Sequence, residues 1–317
     1  MTKRLPSEFA INMSLEKMMI LQQSELSIVG EFQYFDEENP CHLYFIGKRP
    51  RVTIVPQKFH YDNKLIYFTF KVQREDSYEE IDLKVTHSFK DDEIGIESKY
   101  PYNSFKIMVD GSERYMAKVS PFIQEMYRCS AIDFMDFEVL YIGQSYGVDG
   151  ARTAPNRLLS HSTLQGIYSQ AIVNNPDHEI WLALASFSQI NLMMFDGKTK
   201  FSDEEKIADK ERFKKVYDKV QNNGLNEQQV INFTEAALIR YFQPPYNKTY
   251  KTTFPNPAHK TYAECYELDI NAVCIEMQTD EIVGCSFFSD AVKRAPWNME
   301  TFLLNSTSER KSMFELS

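Results

Sequence analysis

Two short runs constrain this chain more than any other part of it: Phe137–Ser145 (FEVLYIGQS) and His178–Ser188 (HEIWLALASFS). Both are apolar at consecutive rather than strictly alternate positions, so both read as strands buried on two faces, and the first as a central one. Helices follow each. Pro155 opens a helix predicted through about Val173, because proline suits the first helical position. Ser202-Asp-Glu-Glu205 forms a capping box whose helix runs to about Asn222 and stops at Gly224. Asn226 caps the next helix, which ends at Pro244-Pro245. The expected class is α+β: a small antiparallel sheet flanked by helices, plus a β-rich N-terminal domain.

That N-terminal part reads differently. Ser14 begins an amphipathic stretch, Leu15–Gln23, predicted as a helix. Short alternating runs follow at 26–35, 51–55, 65–73, 79–89 and 105–110, with turn signals at Asp62-Asn63 and Asp110-Gly111. Residues 262–288 carry two more strand-like runs, which either form an appendage or complete the N-terminal sheet. At roughly 100–200 residues per domain, 317 residues suggest two domains. The expected division is a β-rich domain over 1–120, a second domain over 121–260 and a β-hairpin-like extension over 261–317.

Composition excludes several classes. The five cysteines (41, 129, 265, 274, 285) are scattered, with no C-x-x-C pair, so neither a zinc site nor a disulfide framework is indicated. A reducing cytoplasm fits that usage. The N-terminus lacks the apolar core of a signal peptide, and Trp181–Phe187 falls far short of the ~20 residues of a membrane span. A cytoplasmic protein with no membrane partner is expected. The net charge of −10 opposes phosphate binding, but residues 127–260 hold 15 basic and 15 acidic groups, leaving room for a local basic groove.

The polar residues on the helical segments carry the chemistry. Glu235 sits on the apolar side of its helix among Ile231, Leu238, Ile239 and Phe242. A carboxylate there is costly to bury unless it is paired or holds a metal. Arg157 and His161 are four apart on one helical face, and both can address a phosphate. Tyr141 is followed in its strand by Ile142 and Gly143, a glycine that permits close approach. Asn247 follows Pro244-Pro245-Tyr246 just past a helix end. Taken singly, each has an ordinary reading: an edge glutamate, a solvated pair, a core tyrosine, a turn asparagine.

Their order changes this. Strand-Tyr-Ile-Gly, helix-Arg-x-x-x-His, helix-Glu and Pro-Pro-x-Asn together resemble the GIY-YIG nuclease superfamily, and the Arg-x-x-x-His variant is most similar to its restriction-enzyme branch. Tyr141-Ile142-Gly143 matches the second signature element, and the resemblance covers about residues 125–250. Gly-Ile-Tyr itself is absent. Glu125-Met126-Tyr127 is the stand-in, with Asp133–Asp136 as a hairpin turn that would set Tyr127 across from Tyr141; Tyr115 is the second candidate. The resemblance implies a metal-dependent endonuclease acting on double-stranded DNA, in restriction or another genome-defence role, with a homodimer as the oligomer to consider. It implies Glu235 as the ligand of Mg²⁺ (or Mn²⁺), Arg157 as a phosphate clamp, Tyr127 or Tyr141 as general base with His161 sharing its proton, and Asn247 holding the base or substrate in line. The competing reading keeps the scaffold without catalysis, as a nucleic-acid-binding or protein-interaction module.

Overall fold

The computed structural model describes residues 4–32, 34–89, 93–127, 132–145, 154–158, 162–222, 227–256, 258, 263–305 and 312–314. In chain order, strands β1 (Ser7–Leu21) and β2 (Leu43–Pro50) come first, separated by 3₁₀ turns over Gln23–Phe32. Then follow β3 (Val52–Ile54), β4 (His60–Tyr61), β5 (Leu65–Arg74), β6 (Ser77–Thr86), β7 (Ile94–Glu97), β8 (Ser104–Val109), β9 (Ser112–Lys118) and α1 (Val119–Met126). Next are β10 (Phe137–Gln144), α2 (Ala154–Leu158), α3 (Ser162–Asn174), β11 (His178–Phe195), α4 (Asp203–Asn222) and α5 (Glu227–Phe242). The chain closes with α6 (Ala263–Glu267), β12 (Ala272–Gln278), α7 (Thr279–Val283), β13 (Phe287–Phe288) and β14 (Trp297–Leu303). The class is mixed α+β with several sheets. Among the described residues no helix is long and apolar enough to cross a membrane.

A seven-stranded sheet of order β13-β10-β2-β11-β1-β12-β14 dominates. Its middle, β10-β2-β11, is antiparallel throughout. Leu43, Tyr44, Phe45 and Ile46 of β2 are all buried because both faces are covered. Phe45, Val139 and Ile142 pack on one side with Ile231, Leu238, Ile239 and Phe242 of α5. Tyr44, Ile46 and Leu140 pack on the other with Ala154 and Leu158 of α2 and Leu164 and Ile167 of α3. The sheet curls toward closure: Phe287 of β13 is bridged to Ala295, just before the opposite edge strand β14 begins.

Between β2 and β10 the chain builds a separate unit. Strands β3–β6 form one small sheet, β7–β9 another, and with α1 they enclose a core that runs from Val52 to Met135 and includes Phe68, Phe70, Phe105 and Phe122. Its turns follow local rules. Asp110 and Gly111 both have positive φ, 48° and 73°, as a two-residue hairpin turn requires. The Asp62 carboxylate accepts the backbone N–H groups of Lys64 and Leu65.

Four expectations need correction. Leu15–Gln23 is not an α-helix: Leu15–Leu21 is the second half of β1, where the register shift between Leu15 and Lys17 inserts an extra residue. That bulge puts Leu15 and Met18 on the same core three positions apart, a spacing that mimics a helix. The run 26–35 is largely 3₁₀ rather than strand, with Leu26 and Val29 eclipsed on one buried side. The division at residue 120 cuts across the sheets, because β1 and β2 belong with β10 and β11. Residues 261–317 contribute β12, parallel to β1, and β14 rather than forming a separate hairpin.

Candidate active site

β2 and β10 set two tyrosines side by side. In their antiparallel register Tyr44 lies opposite Gly143 and Ile46 opposite Tyr141, with Leu140 bulged out of the pairing. Opposed residues share a face, so the Tyr44 and Tyr141 rings meet, centroids 6.2 Å apart and tilted by 33°. Gly143 makes this fit: any side chain there would run into the Tyr44 ring and hydroxyl and into the Tyr141 ring. Tyr44 is fully buried, while Tyr141 lines a cleft.

Arg157, in the last turn of α2, donates to the Tyr44 hydroxyl, and Tyr44 hydrogen-bonds Tyr141 in turn. Burial pushes both phenols above their ordinary value. For Tyr141 the Glu235 charge pushes the same way, while the Arg157 charge and the Tyr44 hydrogen bond oppose it. Glu235 is a half-buried residue of α5. Burial raises its carboxyl to about 7, against the Gln144 side-chain amide, the Arg157 charge and the Gln144 backbone N–H, all of which favour the anion. The Gln144 amide also bonds Asn232, one turn before Glu235 on the same helix.

Two of these side chains open onto a cleft of about 660 Å³. Tyr141 and Glu235 lie within it. Thr163, Gly166, Ile167 and Gln170 of α3 line one side, and residues 246–250 the other.

Asn247 lies here in a different role from the one implied. Its Oδ1 accepts the Ile142 N–H at 2.9 Å, and its Nδ2 donates to the Ile142 carbonyl at 2.8 Å. The adjoining Tyr246 N–H bonds the Leu140 carbonyl at 3.1 Å. Among the described residues β10 pairs with β13 only at Phe137 and Glu138, and this segment takes over the edge at Leu140 and Ile142.

Of the residues singled out from the sequence, Tyr141, Arg157, Glu235 and Asn247 are brought together. Tyr127 is not. It caps α1, packs against the core of the 52–135 unit and donates to the Asp82 carbonyl at 3.3 Å. Asp133–Met135 is a 3₁₀ turn whose Phe134 and Met135 belong to that same core, so it does not fold Tyr127 back onto β10. Tyr115 lies in β9 of the same unit. His161 lies outside the described residues, as do Gly224 and Asn226. Sequence reasoning passed over Tyr44 and Gln144. The sequence signalled the strand but not the tyrosine: Leu43-Tyr-Phe-Ile-Gly47 is apolar at consecutive positions, just as Phe137–Gly143 is.

Among the described residues no group of three or more His, Cys, Asp or Glu side chains could hold a metal ion. No known family model, curated protein or solved structure matches this chain.

Proposed function

We propose that the chain is a metal-dependent endonuclease of the GIY-YIG kind, hydrolysing phosphodiester bonds of DNA. One observation carries the reading: two tyrosines, an arginine and a glutamate from four separate elements interact with one another, and two of them, Tyr141 and Glu235, line a cleft. Tyr44, beside Tyr141 on the neighbouring strand, replaces Tyr127 as the first signature tyrosine. The antiparallel middle of the sheet, with α2 and α3 on one face and α5 on the other, supports the same reading.

A divalent cation suits Glu235. Its carboxyl, raised to about 7, holds a proton in a place where a cation could stand instead. With one protein carboxylate available, Mg²⁺ or Mn²⁺ would fill its other positions with water and phosphate oxygens. When bound, such an ion supplies Lewis-acid stabilisation of the charge on the phosphoryl group and the leaving oxygen.

The chain's own groups do the rest. Arg157 clamps a non-bridging phosphoryl oxygen. Tyr141 orients the attacking water and takes its proton as the phenolate, once the phenol's own proton has passed to solvent through the cleft. Tyr44 is a positioning residue, accepting from Arg157 and donating to Tyr141, so that clamp and base are held in one geometry. Burial remains the largest influence holding the Tyr141 phenol high; neutralising Glu235 removes the second, and Arg157 and Tyr44 oppose what is left.

Supercoiled plasmid is the test substrate. With Mg²⁺ the protein should nick it, and Glu235→Ala and Arg157→Ala should each slow cutting by about 10²–10³-fold with unchanged circular dichroism. Failure of the wild type to cut at low salt in Mg²⁺ or Mn²⁺ ends the enzyme reading. Tight DNA binding without cutting would put a non-catalytic module in its place.

A further inference from the structure

Two turns of α3 form one wall of the cleft. Thr163, Gly166, Ile167 and Gln170 recur at helical spacing and all face it. Gly166 is the anomaly. It lies inside the helix, where glycine weakens the fold relative to alanine. It is exposed, and a Cβ built on it would meet nothing within 4 Å, so no neighbouring side chain or backbone demands a glycine. Nor does it carry the positive φ that only glycine adopts readily. What the missing side chain leaves is clear space, on the wall of the cleft that contains Tyr141 and Glu235.

The opposite wall offers the complementary group. Lys248 is exposed at the rim, directly after the Asn247 clamp, and no carboxylate among the described residues is paired with it. The strand edge beneath it is held by Asn247 and Tyr246, so the lysine stands on a fixed base.

We propose that these two walls form a track for the strand to be cut: its sugar–phosphate backbone passes against the bare helix at Gly166, and a phosphate next to the scissile one rests on Lys248. This rests on the nuclease reading above and adds the substrate-positioning residues to it. Thr163 and Gln170 flank the glycine as hydrogen-bond donors toward the same backbone.

The experiment uses the full chain, a fluorescein-labelled DNA duplex with Ca²⁺ in place of Mg²⁺ for binding, and supercoiled plasmid with Mg²⁺ for cutting. Gly166→Ala should melt higher than wild type yet bind and cut more weakly. Gly166→Gln should cut about a hundredfold more slowly, as expected for a reacting group displaced by an ångström or so, with its circular dichroism intact. Lys248→Ala should lower the slope of log Kd against log salt by about one phosphate contact, and Lys248→Arg should restore it. If the wild type cuts and Gly166→Gln cuts equally well, the track is wrong and the nuclease reading stands. An unchanged salt slope in Lys248→Ala also overturns the track. If the wild type neither binds nor cuts DNA, both fall together.

Discussion

Glu235 is a carboxylate whose burial works against the stability of the fold at neutral pH. Burial holds its carboxyl at about 7, against 4.5 for an unperturbed glutamate. The folded chain therefore binds this proton more tightly than the unfolded one. The corresponding stability is fully present below about pH 4.5 and is lost as pH rises through about 7. Glu235→Gln should escape that loss. At pH 8 we expect it to be more stable than wild type by up to about 3 kcal/mol, with little difference at pH 4. Added Mg²⁺ should raise the melting temperature of the wild type and not of the variant. Thermal melts at the two pH values check both statements, and a variant less stable than wild type at pH 8 would refute the burial argument. At this scale much was legible. Tyr141, Arg157 and Glu235 stand out because each breaks the pattern of its own segment. Tyr44 did not, because a tyrosine in an apolar strand becomes notable only when its cross-strand neighbour is known.

At the scale of elements, the edge of β10 is the vulnerable part. Beyond Glu138 that edge has no strand partner among the described residues, and Asn247 takes both polar groups of Ile142, next to Tyr141. Asn247→Ala would leave them unmet in a buried place, at a cost of about 1–3 kcal/mol for each group. We expect a lower melting temperature, faster hydrogen exchange at the Ile142 amide, and a fall in kcat with little change in KM. Exchange at Ile142 as slow as in the wild type would mean that the clamp is not what holds this edge. The helices α4 and α5 could be read in advance because caps and prolines are local signals. The Ser202–Glu205 box forms as expected, with Glu205 N–H bonding Ser202 Oγ at 3.2 Å and Ser202 N–H bonding the Glu205 carboxylate at 2.9 Å. β1 could not be, because its bulge turns a strand's period into a helix-like one.

The whole molecule is a sheet-centred body with a second body inserted between two of its adjacent strands. We propose that the part reading the substrate is the inserted body, residues 51–135; a cut at 1–120 would instead take β1 and β2 out of the main sheet. Arg49 ties the two bodies together. It is almost fully buried at 1% exposure, donates to Gln124 of α1 at 3.0 Å and to the Cys285 sulfur at 3.1 Å, and lies over the rings of Phe137 and Trp181. Lys48 already faces Glu138 across the pair, so replacing residues 50–136 with Asn-Gly would close β2 onto β10 as a tight hairpin. Adding Arg49→Met avoids leaving a buried guanidinium without Gln124. We expect this protein to keep the main sheet and cut plasmid, but to lose any preference among DNA sequences or structures. An unchanged preference would remove the inserted body from recognition. By itself the sequence determined the mixed class, the helices that bear Arg157 and Glu235, and the strand that bears Tyr141, because periodicity, caps and turn residues act within a few positions of themselves. Tertiary structure alone decided which tyrosine meets Tyr141, where the chain divides, and that Asn247 serves the sheet edge. Strand pairing joins backbones that can lie anywhere along the chain, and a strand's own residues say how it is buried but not which strand lies beside it.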